Sequence, residues 1–207
     1  MSINSYFCVK KETENEMIIE RSRFISYVKP CRTEEEARAF IEEKRKAHPF
    51  ATHNCYAYIV ERGSVARFSD DGEPQGTAGQ PILEVIKNKK LFDTAVVVTR
   101  YFGGIKLGAG GLVRAYSQGA KEVIDKAGTV ENVLSSVYFI EMNYDLYSVF
   151  LKISDKTKCS VISTDFEDVV KIKVAIPISD DNFPLEILDK TNGKVEPKKI
   201  GEDFIVY

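Results

Sequence analysis

The chain has 207 residues and a formal net charge of −2, and its 43% hydrophobic and 29% charged residues are typical of an ordinary globular protein of one large or two small domains. No apolar run reaches the length of about 18 residues that a membrane span needs, and the N-terminal residues lack the apolar segment of a signal peptide. The four cysteines have no CxxC spacing, which indicates reduced thiols in the cytoplasm and neither a zinc site nor a disulfide framework.

The first elements of the chain are predicted strands around one helix. Thr33-Glu34-Glu35-Glu36 is a capping box, so a helix begins there, and Pro49 ends it. Alternating apolar residues before and after this helix favour strands. We predict strands at Tyr6–Lys10, Met17–Val28, Asn54–Val60 and Val65–Phe68.

The segment SDDGEPQGTAG, residues 69–79, is too rich in glycine, proline and acid for regular structure. Its acidic residues could hold a divalent cation through their oxygens, form salt bridges to Arg67 or Arg100, or stay solvated. The set of oxygen ligands is incomplete, so we predict no metal site. Thr77 is the expected N-cap of the helix that follows. The acidic residues are Asp70, Asp71 and Glu73.

The most unusual stretch is residues 93–127. It contains Ala95–Val98, an apolar run long enough for one buried strand, followed by Arg100 and Tyr101. Five glycines then occur within nine positions, and from Leu112 the apolar residues recur with a helical period. The pattern predicts a strand, a glycine loop from Gly103 to Gly111 and a helix whose N-terminus could bind an anion.

The glycine loop matches neither of two familiar phosphate-binding motifs. A Walker A loop would need Lys and then Ser or Thr where Ala109 and Gly110 stand. A GxGxxG motif beginning at Gly108 would need a glycine in place of Val113. The glycines could have the structural role of allowing a tight connection between strand and helix. Alternatively, the loop could bind a polyanion through the cations around it. These cations are Arg100, Lys106 and Arg114.

The second part of the chain is acidic and begins a new pattern. From Ser135 onward there are nine lysines, no arginine and thirteen acidic residues, a net charge of −4 against +2 for the first 134 residues. Any polyanion surface is therefore expected on the first part. Residues 128–136 are the predicted linker, and the order of elements after it, βαββαβ, is that of a ferredoxin-like domain. The elements are Val137–Met142, Tyr144–Ile153, Cys159–Ser163, Val169–Ile176, Pro184–Lys190, with Asp181 and Asn182 as candidate caps, and Phe204–Tyr207.

Three segments of the first part resemble the IMPACT/YigZ family. They are ATHNCYAYI (residues 51–59), SDDGEPQGTAGQPILEV (69–85) and VVVTRYFGGIKLGAGGLVRAY (96–116). The resemblance covers residues 16–127, and the length and pattern of the rest fit bacterial members. It implies an α+β fold, with an N-terminal α+β domain (1–134) like those of ribosomal proteins and elongation factors and a C-terminal ferredoxin-like domain (135–207).

The resemblance also implies a role near RNA or the ribosome. Eukaryotic relatives regulate translation through a stress-responsive initiation-factor kinase, but their partner domain has no counterpart in this sequence. We expect a cytoplasmic, non-catalytic protein without a cofactor that contacts RNA, the ribosome or a translation partner. One alternative is an enzyme or binder that acts on a phosphorylated small molecule through the glycine loop. Another is an adaptor that meets a protein through the acidic C-terminal domain.

The candidate site residues surround the glycine loop. His53 is expected to have a structural hydrogen-bonding role, or else a role in a surface contact or proton transfer. Tyr101 could stack on unpaired bases, as could Phe102, although Phe102 is expected in the core. The predicted phosphate- or nucleic-acid-binding residues are Arg67, Arg100, Tyr101, Gly103, Gly104, Lys106, Gly108, Gly110, Gly111 and Arg114, with His53, Asp70, Asp71 and Glu73 in support.

Overall fold

A computed structural model describes residues 4–180 and 182–207. The chain divides into two compact units, an N-terminal unit, Tyr6–Val130, and a C-terminal unit, Glu131–Tyr207, which also includes Asn4 and Ser5. No helix in the described ranges is both long enough and apolar enough to cross a membrane. The fold is mixed, with helices and antiparallel sheets, as the α+β prediction required.

The N-terminal unit is built on one five-stranded sheet with the strand order β2-β3-β6-β4-β5. Each pair of neighbouring strands in it is antiparallel. Its strands are β1 (Ser5–Val9), which lies outside this sheet, β2 (Thr13–Ile19), β3 (Ser22–Pro30), β4 (His53–Val60), β5 (Val65–Ser69) and β6 (Thr94–Tyr101). Its helices are α1 (Glu34–Ala47), α2 (Gly79–Asn88) and α3 (Gly108–Ala127), and a 3₁₀ turn occupies Glu61–Gly63.

Helices cover both faces of this sheet. Because successive side chains of a strand point to opposite faces, alternate residues of β6 enter two different cores. Val96 and Val98 pack with α2 and α3, whereas Ala95 and Val97 pack with α1. The β6 strand is therefore buried on both sides, which explains its continuous apolar sequence.

The capping box of α1 is confirmed, since Glu36 N donates to Thr33 Oγ1 and the Glu36 side chain accepts from the Thr33 backbone. The single strand predicted at Met17–Val28 is wrong. That segment contains the β2–β3 hairpin, with Glu20 and Arg21 in its turn at φ 45° and 63°. Two non-glycine residues with positive φ give no sequence signal of the Asn-Gly kind, so the turn was missed.

The glycine loop is shorter than predicted. Helix α3 begins at Gly108 and not near Leu112, so Gly110 and Gly111 lie in its first turn. The irregular connection is therefore only residues 102–107. Glycine disfavours a helix because of its conformational freedom. The glycines at the start of α3 therefore gave no helical signal, and the helix was predicted to begin too late.

The C-terminal unit contains β7 (Thr129–Met142), α4 (Tyr144–Ser154), β8 (Ser160–Phe166), β9 (Val170–Pro177), α5 (Phe183–Lys190) and β10 (Lys198–Val206). Its strands have the order β10-β7-β9-β8, and each neighbouring pair is antiparallel. Apolar residues of β7 and β9 pack with α4 and α5.

The predicted linker at residues 128–136 is wrong, because β7 occupies nearly all of it and pairs with β10 from Asn132 to Phe139. Serines and asparagine lower the apolar content of this strand, so its residues show no clear hydrophobic period. Of the two candidate caps of α5, Asn182 occupies the N-cap position without a side-chain hydrogen bond. The other, Asp181, lies outside the described residues.

Candidate functional site

A pocket of about 420 Å³ lies beside the connection between β6 and α3, and we call it the loop pocket. Its polar wall comes from the end of β6, the start of β4 and the acidic segment before α2. Leu107, Ala109 and Leu112 supply part of its apolar wall. The polar and aromatic residues that line it are Thr52, His53, Glu73, Arg100, Phe102 and Lys106.

A buried ion pair forms the floor of the loop pocket. Arg100 is 5% exposed, and its Nη1 donates to Glu73 Oε1 at 2.7 Å. The Tyr116 hydroxyl donates to the same oxygen at 2.8 Å. A salt bridge to Arg100 was one of the alternatives considered for the acidic segment. It is present, and the acid that forms it is Glu73.

The Arg100 guanidinium is only partly satisfied. Its Nη2 donates to Ser22 Oγ at 3.3 Å, but its buried Nε has no hydrogen-bond partner in the described ranges. The guanidinium carbon lies 5.4 Å from the ring centres of both Phe24 and Phe102, so the cation sits between two aromatic faces. A buried donor without a partner costs free energy, so this ion pair is held at some cost in stability.

The neighbourhood of this ion pair strongly disfavours additional negative charge. Burial raises the pKa of the Tyr116 hydroxyl far above its usual value, and the nearby Cys55 and Glu73 add to the effect. Burial likewise raises the pKa of the Cys55 thiol. Both groups are therefore neutral at physiological pH, and Tyr116 can serve as a hydrogen-bond donor to Glu73.

The rim of the loop pocket is positive. No side chain caps the N-terminus of α3, so the amide groups of its first turn face outward without a capping partner. Lys106 is exposed immediately before this turn and forms no ion pair with any described residue. Gly104 and Gly108 have φ of 87° and 68°, a conformation that other residues rarely adopt, and they let the chain turn sharply into α3.

The acids of the segment before α2 have structural partners. Asp70 Oδ1 accepts from the backbone amides of Ala78 and Gly79 at 3.0 and 2.8 Å, and its Oδ2 accepts from Gly76 N. Asp71 accepts from Asn54 N and from Arg45. No group of three or more His, Cys, Asp or Glu side chains within the described ranges is arranged to hold a metal ion.

Asp70 thus performs the capping role that the sequence assigned to Thr77. The predicted Thr77 cap is wrong, because its hydroxyl donates to the Pro74 carbonyl and the N-cap of α2 is Ala78. Asp70 stands eight residues before that N-cap, so only the folded segment brings its carboxylate to the helix.

We expect Asp70→Ala to lower the free energy of unfolding by about 2–3 kcal/mol, because three backbone amides lose a charged acceptor. Urea denaturation measures the change. Asp189→Ala is the matched control, since Asp189 is an exposed aspartate whose loss should change stability by less than about 0.5 kcal/mol. Equal midpoints for the two variants would contradict the capping role.

His53 is the first residue of β4 and faces the loop pocket. Its Nδ1 lies 2.8 Å from the carbonyl oxygen of Asp71, and its Nε2 lies 3.8 Å from Glu73 Oε2. The structural hydrogen bond that we expected of this residue is present. The second ring nitrogen is turned toward the buried ion pair.

Two of the predicted site residues lie on the opposite face of the sheet. Tyr101 packs with the core under α1, and its hydroxyl lies 2.9 Å from His48 Nδ1. Burial lowers the pKa of His48, which favours the neutral ring in this contact. Arg67 lines a separate groove with Arg38 and Arg45.

Arg114 lies beside the loop pocket but not in it. It lines an adjoining pocket together with Lys106, Gly111 and Glu20. Its Nη1 lies 3.9 Å from the position that a Cβ on Gly110 would occupy, so the side chain points back along α3 toward its first turn. Lys106 and Arg114 therefore form one exposed cationic surface at the start of α3.

Several residues of the loop pocket were not predicted from the sequence. Phe102 was expected in the core but is 45% exposed and lines the loop pocket. Thr52 accepts from Phe102 N, and Ser22 accepts from Gly103 N, so both hold the connection in place. Thr52 belongs to ATHNCYAYI, one of the three segments that resemble the family. Only the pairing of β4 with β6 places this residue at the pocket.

Comparison with known proteins identifies the family. The model of the Impact N-terminal domain matches residues 20–124. This chain belongs to the IMPACT family. It is 40% identical over 199 residues to the IMPACT family member YvyE of Bacillus subtilis, which covers 95% of this chain and 92% of that protein. The family prediction is therefore confirmed.

Two further comparisons agree with this membership. The IMPACT family member YigZ of Escherichia coli is 32% identical over 188 residues, covering 89% of this chain and 92% of that protein. A crystal structure of a hypothetical protein superposes with a TM-score of 0.65 at 30% identity, covering 98% of this chain and 100% of the other. YvyE, YigZ and the hypothetical protein are thus each similar to this chain over most of its length.

Proposed function

We propose that this IMPACT-family protein is a non-catalytic binding module of the cytoplasm that contacts single-stranded RNA, at the ribosome or with a translation partner. The observation that carries the proposal is the loop pocket, where Lys106 and the start of α3 lie beside the buried ion pair of Arg100 and Glu73. Backbone amides at a helix N-terminus and cationic side chains are the usual ligands of phosphate groups.

The charge around the pocket favours a polyanion over a neutral ligand. Lys106 and Arg114 are exposed at the start of α3, whereas the charge of Arg100 is balanced by its ion pair with Glu73. The first turn of α3 contributes the positive end of a 20-residue helix. A phosphate group at the rim could contact these side chains and backbone amides simultaneously.

Phe102 supplies a surface on which a base could stack. Its ring is 45% exposed beside the phosphate-binding groups, and one side of it is supported by the Arg100 guanidinium. Stacking on aromatic side chains contributes about 1–3 kcal/mol for each base in single-strand binding. A phosphate site next to an exposed ring therefore suits a single strand better than a duplex.

Titration of a short oligouridylate at several salt concentrations tests the proposal. Lys106→Ala and Arg114→Ala should each weaken binding and lower the log–log salt slope by roughly 0.7, because each removes one phosphate contact. Lys121→Ala is the matched control, since Lys121 is an exposed cation on the same helix but outside both pockets.

Unchanged slopes in Lys106→Ala and Arg114→Ala would contradict the site. An equal reduction in Lys121→Ala would show that general surface charge, and not the loop pocket, attracts the RNA. Each variant is first compared with the wild-type protein by thermal unfolding, so that lost binding is not confused with lost structure.

The assignment of the two units follows from the family resemblance. We propose that the N-terminal unit is the IMPACT-type domain, related to domains of ribosomal proteins and elongation factors. We propose that the C-terminal unit is a ferredoxin-like domain, which its strand order β10-β7-β9-β8 supports. The acidic surface of this second unit is a candidate for contact with a protein partner.

The size of the loop pocket favours one other candidate, a phosphorylated small molecule. A volume of about 420 Å³ falls within the range of sites that enclose such ligands. Mass spectrometry of the small molecules released when the purified protein is denatured decides between the candidates. A stoichiometric phosphorylated metabolite favours the second candidate, and copurifying RNA favours the first.

A further inference from the structure

We infer that the loop pocket recognises the 2′-hydroxyl of ribose through His53 Nε2 and Glu73 Oε2, and so distinguishes RNA from DNA. This inference rests on the proposed function, because it concerns the same pocket and names the sugar that the pocket accepts. The supporting observation is a pair of hydrogen-bond acceptors that face each other without a donor between them.

The first acceptor is the outer nitrogen of His53. Its Nδ1 lies 2.8 Å from the carbonyl oxygen of Asp71, and a carbonyl oxygen can only accept. Nδ1 therefore carries the proton, and in the neutral ring Nε2 has a free lone pair. The bond to Asp71 also fixes the ring, so Nε2 keeps its direction toward Glu73.

The second acceptor is the outer oxygen of Glu73. Arg100 and Tyr116 both donate to Oε1, whereas within residues 4–180 and 182–207 no donor forms a hydrogen bond with Oε2. The Glu73 side chain is only 3% exposed, and its two donors prevent the carboxylate from turning. Oε2 is therefore held in place and lacks a donor.

The separation of the two acceptors suits a hydroxyl group. His53 Nε2 and Glu73 Oε2 lie 3.8 Å apart, and neither can donate to the other while the ring is neutral. A hydroxyl near both atoms can donate its proton to one of them. Carboxylates bind ribose hydroxyls in this manner in dinucleotide-binding folds.

The pocket therefore offers two kinds of groups. Phosphate donors stand at the rim, at Lys106 and the first turn of α3, and hydroxyl acceptors stand deeper, at His53 and Glu73. A ribonucleotide carries both a phosphate and a 2′-hydroxyl, whereas a deoxyribonucleotide lacks the donor. A deoxy sugar offers no donor to either acceptor, so it should bind less tightly than ribose.

Three short oligomers of uridylate test the inference, one with ribose, one with 2′-deoxyribose and one with 2′-O-methylribose. Binding is measured at mildly alkaline pH, where the neutral form of histidine predominates. The ribose oligomer should bind at least about tenfold more tightly than the other two, as expected for one hydrogen bond to a charged acceptor. The 2′-O-methyl oligomer keeps RNA-like geometry but has no proton to donate.

The variant His53→Leu should reduce this preference, because it removes one of the two acceptors, and any preference that remains belongs to Glu73 Oε2. Thermal unfolding checks its fold, and the three oligomers alone decide the question if the variant does not fold. Equal binding of all three oligomers, still weakened by Lys106→Ala, would overturn the inference but leave the phosphate site. Equal binding of the ribose and 2′-O-methyl oligomers would overturn it too. If no oligomer binds, the proposed function itself is wrong.

Discussion

Replacing Arg100 with alanine is expected to lower the free energy of unfolding by about 3–5 kcal/mol. The reason is that the Glu73 carboxyl, whose side chain is 3% exposed, would lose its cationic partner and keep only the Tyr116 hydroxyl as a donor. The aromatic contacts of the guanidinium with Phe24 and Phe102 would be lost as well. Urea denaturation monitored by circular dichroism measures the change.

Arg67→Ala is the matched control for this prediction. Arg67 is exposed, and its Nη1 donates to the carbonyl oxygen of the neighbouring Ala66, so its removal should change stability by less than about 0.5 kcal/mol. The double variant Glu73→Leu, Arg100→Met should recover most of the loss, because no charge then remains buried. A loss below about 1 kcal/mol in Arg100→Ala would contradict the buried ion pair.

The variant Gly103→Ala is expected to cost about 3 kcal/mol or more. A Cβ at this position would overlap the carbonyl group of Arg21 and approach the backbone nitrogen of Ser22, and backbone atoms cannot move aside as the end of a flexible side chain can. Either the β2–β3 turn or the connection to α3 must move, which is more costly than the usual strain of overpacking. Thermal or urea unfolding measures the effect.

Gly201→Ala is the control for the glycine prediction. No atom lies within 4 Å of the position that a Cβ on Gly201 would occupy, so this change should be nearly neutral. Because Gly103 N also donates to Ser22, which accepts from Arg100, the Gly103 variant should weaken RNA binding together with stability. A Gly103→Ala protein with the wild-type midpoint would show that the close backbone contact is not required.

Local sequence patterns determined the elements whose signals lie within a few residues. The capping box at Thr33–Glu36 placed the start of α1, because its hydrogen bonds link residues that are neighbours in the chain. The apolar run at Ala95–Val98 identified β6 as a strand buried on both faces. The three matching segments identified the IMPACT family.

The sequence alone could also have shown that two of the predicted site residues do not belong to the same site. Arg100 and Tyr101 are consecutive residues of a strand, so alternation alone places their side chains on opposite faces. Both were nevertheless assigned to one surface. One positive surface was predicted for Arg100, Lys106 and Arg114, but Lys106 and Arg114 line one exposed pocket at the start of α3 while Arg100 is buried in its ion pair with Glu73.

Only the tertiary structure decided the partners of the acidic segment. Glu73 lies 27 residues before Arg100 and 43 before Tyr116, and Asp70 caps a helix that begins nine residues later. Nothing in the sequence distinguishes these acids, since each is a carboxylate in a glycine-rich loop. Their roles are set by strand pairing, which brings His53 beside Arg100 and leaves one acid buried and another at a helix end. The sequence by itself thus determined the family and most elements, whereas burial and long-range hydrogen bonding, which exist only after folding, determined which charged groups are structural and which face the pocket.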